Sequence, residues 1–275
     1  MCGTCGCAVP GDHRVHAHGP HADHEHRHDE SREPVPGEAV AVLTRLLDAN
    51  DREAAHNREH LDAQGVLAVN LMSSPGAGKT RLLEATIDAL AGRLRVAVIE
   101  GDLETENDAL RIRAKGVPAV QITTGTACHL DAHMVHEALH EIDLGKVDIL
   151  FIENVGNLVC PAAFDLGQHL NVTLLSVTEG ADKPAKYPVM FRASDLLLLT
   201  KTDLLPVIDD FDPQAARGHF RALANPAPVF QVSAKQPETL APWIAWLEIQ
   251  RAHRRAGAQP QDPVQASVQA WTAAA

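Results

Sequence analysis

Ser73-Ser74-Pro75-Gly76-Ala77-Gly78-Lys79-Thr80 is the stretch that decides how the chain folds. An apolar run over 66–72 precedes it and a helical pattern over 79–91 follows it, so a strand should feed a glycine-rich turn that opens a helix. Gly76 and Gly78 allow the backbone to curl until several N–H groups converge. The helix N-terminus adds a dipole that favours an anion at the same place. The expected product is a phosphate cradle in which Ser74, Gly76, Ala77, Gly78, Lys79, Thr80 and Arg81 meet the nucleotide. Lys79 would reach the β- and γ-phosphates, and the Thr80 hydroxyl would hold Mg²⁺. Ser73 stands where such loops usually carry their first glycine, and a ligand-free glycine-rich helix start would share the Gly-Lys-Thr. The elements that follow argue for the cradle.

Working outward, short aliphatic runs recur at 96–100, 119–123, 147–153, 172–177, 196–200 and 229–232. Several are apolar throughout, which is how strands covered on both faces read. Helical patterns lie between them at 105–115, 129–142, 211–224 and 239–253, and another precedes the first strand at 37–62. Strands alternating with helices predict a doubly wound α/β domain with a mainly parallel sheet. Hydrophobic residues make up 45% of the 275 and aromatics only 4%, so the core is expected to be aliphatic. Three zones result: a Cys/His-rich metal-binding extension at 1–36, expected to be disordered without metal, the nucleotide domain at 37–253, and a flexible tail at 254–275.

Two further strand ends carry acids. The run 147–153 ends in Glu153-Asn154-Val155-Gly156, where Glu153 can hold Mg²⁺ and Gly156 can present its N–H to a γ-phosphate. The run 96–100 leads into Gly101-Asp102, which places Asp102 to touch Mg²⁺ or orient an attacking water. Lys79 and Asp102 are thus the candidate catalytic residues. Base choice falls to Thr200-Lys201-Thr202-Asp203. The Asp203 carboxylate can accept from guanine N1 and its exocyclic amine; adenine would leave it unpaired, a mismatch that can discriminate by roughly 10⁴. Lys201 would lie along the base, and Ser233-Ala234-Lys235 suits contact with guanine O6. GTP and GDP are the expected ligands, with an ATPase of the same architecture as the rival. The residue before Lys201 in such loops is usually Asn; Thr200 replaces it.

The net charge of −12 argues against a nucleic-acid surface. No apolar run approaches a membrane span and no secretory signal starts the chain, so a cytoplasmic location is expected. There, cysteines point to metal or free thiols rather than disulfides. Cys2, Cys5 and Cys7 put three thiolates within six residues; with an N-terminal amine or amide nitrogen they suit tetragonal Ni²⁺, whereas Zn²⁺ would draw a fourth ligand from a nearby imidazole. A redox pair or spare thiols is the alternative. His13, His16, His18, His21, His24, His26 and His28 form a loose chelating tract for nickel and similar ions, or a spacer. Cys128-His129, expected to open the helix at 129–142, and Cys160, just past the Gly156 turn, suggest a second nickel or zinc site that responds to nucleotide; two buried cysteines are the alternative. A two-fold dimer would double its ligands. His133, His136 and His140 continue the stripe from His129, most simply as a solvated face.

Taken together, the N-terminal Cys-x-x-Cys-Gly-Cys, the His tract, the 73–80 loop, Glu-Gly-Asp at 100–102, Thr-Ala-Cys-His-Leu-Asp-Ala at 126–132, Glu-Asn-Val-Gly-Asn-Leu-Val-Cys-Pro at 153–161, Glu-Gly-Ala-Asp-Lys-Pro at 179–184 and Thr-Lys-Thr-Asp at 200–203 give a specific pattern. The chain resembles the hydrogenase nickel-incorporation GTPases, relatives of the urease nickel-insertion GTPases, over 1 to about 250. In that resemblance Ser73 and Thr200 are family habits. It implies a P-loop GTPase with slow intrinsic turnover that works as a GTP-promoted homodimer. Its implied task is delivering nickel to a [NiFe]-hydrogenase large-subunit precursor, with a zinc-containing nickel chaperone as partner. It further implies a tight nickel site at Cys2, Cys5 and Cys7 and a nucleotide-sensitive Ni/Zn site at Cys128, His129 and Cys160. Lys183 or Lys186 would reach the partner subunit's nucleotide. A urease-directed GTPase and a nickel-storage protein are the neighbouring readings.

Overall fold

The computed structural model describes residues 36–102, 107–125 and 127–256, with side chains from residue 44. Cys2, Cys5, Cys7, the seven histidines of the tract and nearly all of the tail lie outside the described residues. The chain divides into two units at Ala49/Asn50. Of the first, the described part is the opening half of helix α1 (Pro36–Ala63). The second holds everything that follows.

Among the described residues the second unit contains seven strands, β1 (Leu67–Ser73), β2 (Val96–Asp102), β3 (Ala119–Thr123), β4 (Ile149–Glu153), β5 (Leu170–Ser176), β6 (Leu196–Thr200) and β7 (Val229–Gln231). They form one sheet in the order β3-β2-β4-β1-β5-β6-β7, and every pairing is parallel. The expected doubly wound sheet is therefore present. Helices α2 (Lys79–Leu90), α3 (Asn107–Arg113), α4 (Ala132–His140), α7 (Pro213–Arg221) and α8 (Ala241–Arg255) supply the layers. Two short helices, α5 (Lys183–Lys186) and α6 (Pro188–Arg192), follow β5 and have too few apolar positions to show a period in sequence.

Alternation along the central strands explains the apolar runs. Ile149 and Phe151 of β4 pack with Leu83 and Ile87 of α2 and Trp243 of α8. Leu150 and Ile152 face the other way, onto Leu61 of α1 and Val135 and Leu139 of α4. In β6, Leu196 and Leu198 join the first layer, while Leu197 and Leu199 pack with Phe191 and Phe220. With both faces covered, no polar phase survives in the strand. The core is mainly aliphatic, yet its largest fully buried side chains are Trp243, Phe151, Phe191 and Phe220, so the few aromatics are concentrated inside. The Trp243 indole is admitted because its Nε1–H donates to Thr86 Oγ1 at 2.9 Å.

Most boundaries lie one to three residues from expectation, and two of these shifts bear on the reading. Helix α4 starts at Ala132, not 129, because Asp131 is its N-cap and accepts from Met134 N at 2.8 Å. Cys128 and His129 therefore sit in the loop before it. Helix α8 runs to Arg255, two residues into the expected tail. No helix among the described residues is long and apolar enough to cross a membrane.

His169 ties the start of β5 to β1. Its Nδ1 accepts from Ala68 N at 2.9 Å, and its Nε2 lies 3.0 Å from Asp62 Oδ1. Protonating Nδ1 would break the first bond, and burial pushes the imidazole down to about 4, with Arg58 adding to the effect. A group depressed in the folded state binds its proton preferentially when unfolded, so its neutral form stabilises the fold above about pH 6.5, and that contribution is lost progressively towards pH 4. Urea melts across pH 4–7 should show this fall, and it should be shallower in His169→Gln, whose amide oxygen can still accept from Ala68.

Candidate functional site

Because all strands run parallel, their C-terminal ends gather on one edge, where ligands of such sheets bind. The loop after β1 lies there. Gly76 (φ 74°) and Gly78 (φ 97°) both adopt left-handed backbone, and Gly78 caps α2. That conformation is why glycine stands at both positions. Lys79 is buried; its Nζ donates to Ser73 Oγ at 3.1 Å and sits 4.0 Å from Glu153 Oε1. The serine that replaces the usual first glycine is thus a hydrogen-bond acceptor for the lysine. The Ser74 hydroxyl donates to Glu179, whose other oxygen accepts from Ser176 N at the end of β5. Arg81 is exposed and pairs with Glu84 at 3.0 Å.

Thr80 Oγ1 donates to Glu153 Oε1 at 2.9 Å. Glu153 pairs in register with Glu100 of the adjacent strand, so the two carboxyls point to the same side of the sheet. Both are buried, at 6% and 2% exposure. Glu100 Oε1 and Glu153 Oε2 have no hydrogen-bond partner among the described residues. Burial raises both carboxyls, Glu100 to about 11 with the Glu153 charge adding to it, while Lys79 opposes the shift at Glu153. Two buried carboxyls with orphaned oxygens beside a threonine hydroxyl are an oxygen donor set that fits Mg²⁺. Asp102, one pleat beyond Glu100, lines the same cleft of about 390 Å³ with Lys79, Thr80 and Glu153. Glu100 was missed from sequence because it read as the last residue of the expected strand, with Asp102 as the acid just beyond it; the signal was its register opposite Glu153.

Gly156 closes the other wall. A Cβ there would sit 2.9 Å from Pro75 Cα and 3.0 Å from Pro75 N, so only glycine lets the segment after β4 pass the phosphate loop this closely. Lys201 has left-handed backbone (φ 57°) and donates from Nζ to Gly76 O at 2.7 Å, laying its stem beside the loop. Thr200 Oγ1 donates to Ala77 O at 2.8 Å. The threonine found in place of asparagine therefore braces the same loop from its other side. Asp203 Oδ1 accepts from Ser233 Oγ at 2.6 Å, and Lys235 Nζ lies 3.7 Å from Asp203 Oδ2. The Ser233 hydroxyl holds this carboxylate below its usual range. Half-buried Ala234 follows Ser233. Lys183 and Lys186 are not among the cleft's walls: Lys183 lies over the Tyr187 ring at 5.3 Å and Lys186 pairs with Asp182 at 2.6 Å.

Cys128, His129 and Cys160 meet. Their ligand atoms all lie within 4.8 Å of one another. The two Sγ atoms are 3.0 Å apart, and His129 Nδ1 is 3.7 Å from Cys128 Sγ. The His129 ring stacks on Phe164 at 3.9 Å, and burial lowers its protonation. Two sulfurs and a neutral imidazole suit nickel or zinc rather than magnesium. His133, by contrast, is exposed, while His136 and His140 turn towards α1.

One side chain joins the two sites. Asn154, buried directly after Glu153, accepts at Oδ1 from Leu130 N (3.2 Å), in the Cys128–His129 loop, and donates from Nδ2 to Asn70 of β1 (3.3 Å). Leu130 in turn fills the space over Gly101, where a Cβ would lie 2.8 Å from its side chain. Asn157 Oδ1 accepts from Val159 N and Cys160 N, fixing the other arm.

Comparison with known proteins gives the arrangement a family. Residues 67–231 match the CobW/HypB/UreG nucleotide-binding domain. The chain is 54% identical over 228 residues to a hydrogenase maturation factor HypB of Azotobacter vinelandii, covering 82% of this chain and 75% of that one. It is 47% identical over 233 residues to the HypB of Escherichia coli K12, covering 83% and 80%. A crystal structure of HypB from Helicobacter pylori in complex with nickel superposes with a TM-score of 0.72 at 41% identity, over 78% of this chain and 98% of that one. The chain belongs to the CobW/HypB/UreG family of nucleotide-binding proteins and, within it, groups with the HypB hydrogenase maturation factors.

Proposed function

We propose that the protein is a cytoplasmic GTP-hydrolysing nickel carrier that serves hydrogenase maturation, and that its nucleotide state sets its hold on the metal. The observation that carries this reading is Asn154, which links the Glu153 strand end to the Cys128–His129 loop. Hydrogenase maturation is the role named for relatives about half identical over most of the chain, and nickel is the metal named for the Helicobacter pylori structure.

In this reading the backbone N–H groups of Ser74 and of 76–80 and the Lys79 ammonium hold the β- and γ-phosphates of GTP, while Arg81 lies at the cleft rim. Thr80, Glu153 and Glu100 would hold Mg²⁺, which supplies positive charge to the phosphate oxygens. Asp102 orients the attacking water, and the Gly156 N–H meets the γ-phosphate. Asp203, positioned by Ser233, reads guanine; Lys201 covers the base, and the Ala234–Lys235 backbone meets O6. Among the described residues the two arginines that line the cleft, Arg81 and Arg111, are both paired with Glu84, so neither is free to act as an arginine finger and turnover is slow. Loss of the γ-phosphate relaxes the Gly156 segment, which moves Cys160 relative to Cys128 and His129. Coupling of this kind is reciprocal. Three ligands from one chain leave a tetrahedral site one short, which favours a homodimer stabilised by GTP. The N-terminal thiolates and the His tract are then the high- and low-affinity nickel stores of the same molecule. A zinc-containing nickel chaperone and the hydrogenase large-subunit precursor are the partners, with zinc as an alternative occupant of the Cys128–His129–Cys160 site. The Helicobacter pylori relative, 44% identical, carries the name hydrogenase/urease maturation factor, so urease apoprotein is the second client to test by co-purification.

The deciding measurement is nickel and zinc titration of the full chain with GDP and with a non-hydrolysable GTP analogue, alongside a sizing column. The nickel Kd should differ several-fold between the two nucleotides and the analogue should favour the dimer. Identical isotherms would sink the coupling. Asn154→Ala should cost about 1–3 kcal/mol of stability, since the Leu130 N–H loses its acceptor in a buried setting, and should bring the two nickel Kd values together. Asp203→Asn should lower GTP affinity by about 10²-fold or more, since the charge-assisted pair is lost, and should shift preference towards xanthosine triphosphate. Gly156→Ala, whose methyl would press on Pro75 backbone, should reduce GTP turnover more than GDP affinity.

A further inference from the structure

Away from the nucleotide cleft and the thiol cluster, two helices bring four imidazoles together. His56 and His60 are one turn apart on α1, and His136 and His140 are one turn apart on α4, so each pair shares a helix face. The faces meet: ring centroids are 4.3 Å apart for His56–His60, 5.1 Å for His56–His136, 5.7 Å for His60–His136 and 4.6 Å for His136–His140. One nitrogen each from His56, His60 and His136 lies within 4.8 Å of the others. His136 Nε2 and His140 Nε2 are 3.1 Å apart. Nitrogens on a tetrahedral cation at about 2.0–2.1 Å stand about 3.4 Å from each other, so the His136–His140 pair is already near that spacing and the other two need only small side-chain rotations.

The orientation of His136 is the stronger argument. Its Nδ1 lies 2.9 Å from Asn57 Oδ1 and 3.6 Å from Glu53 Oε1. Asn57 is fully buried and spends its Nδ2 on Ala132 O and Leu166 O, which fixes its oxygen towards His136. Amide and carboxylate oxygens only accept, so Nδ1 carries the hydrogen and Nε2 turns its lone pair into the cluster. An imidazole held through one nitrogen by oxygen acceptors while the other faces its neighbours is the supporting arrangement of metal-bound histidines. A solvated histidine face would need neither the buried amide nor the convergence of two helices.

We propose that His56, His60 and His136, with His140 as fourth donor, form an all-imidazole site for a divalent cation of the nickel–zinc type, separate from the Cys128–His129–Cys160 cluster. A set of neutral nitrogens selects against magnesium, which takes oxygen donors.

The test uses the full chain, nickel or zinc salt alone, and residue-resolved diethyl pyrocarbonate labelling read by mass spectrometry. Saturating metal should slow labelling of His60 and His136 at least fivefold and leave exposed His133 and His253 unchanged; magnesium should protect none of them. In His60→Gln, checked for folding by its circular dichroism melt, protection of His136 by the same metal should disappear. Labelling of wild-type His60 and His136 that is unchanged by nickel and by zinc overturns the proposal, as does full protection of His136 in folded His60→Gln. Should that variant fail to fold, the wild-type labelling decides alone.

Discussion

The hydrogen bond from Thr80 to Glu153 closes the site between the start of α2 and the end of β4, which are distant in sequence, and most of what surrounds it holds those two residues in place. Thr80 opens α2 because Gly76 and Gly78 turn the chain out of β1. Glu153 ends β4, which pairs with β1 from Leu67↔Ile149 to Leu71↔Glu153. A one-residue slip in that ladder would turn the carboxyl to the other face. The register is guarded by the alternation of β4, whose Phe151 must meet Trp243 while Leu150 and Ile152 meet α1 and α4. Core packing thus sets the position of a functional carboxylate to within a pleat.

That position is electrostatically costly. Two carboxyls, Glu100 and Glu153, are buried next to each other with only the Lys79 ammonium nearby. Buried like charges persist where a function needs them or a cation compensates. A fold selected only for stability would place an apolar pair here, as it does one register step earlier at Ile99↔Ile152. A divalent cation in the proposed role would account for that cost.

The sheet was legible because parallel strands covered on both faces leave unbroken aliphatic runs, and the phosphate loop because its glycines have no substitute at positive φ. Local capping was less so: Asp131 could have marked the start of α4, but the Cys128-His129 pair drew the boundary three residues early. Glu100 was hidden because its role depends on a register with Glu153, not on distance from the strand end. Thr200 and Ser73, which look like departures from the usual loops, become intelligible only when their contacts with Ala77 and Lys79 are seen. The convergence of His56 and His60 on His136 spans about 80 positions and no local pattern announces it; the histidine stripe on α4 read as a solvated face because its partner helix was out of view.

The two metal-capable clusters differ in a way that follows from what surrounds them. Cys128 and His129 come from a loop pinned to the residue after β4 through Asn154, and Cys160 ends the segment after β4, which Asn157 folds onto itself. Any shift of that strand end must therefore reach the sulfurs, because packed strands transmit displacement rather than absorb it. The four imidazoles instead project from the C-terminal parts of two helices whose buried faces are committed to the core, with Asn57 and Glu53 on the same helix as two of them. As proposed, a site built on two helices would hold its geometry whatever the nucleotide. In the proposed reading one cluster changes its grip with the γ-phosphate and the other keeps it, so the same fold would accommodate a switched and an unswitched position for one class of metal.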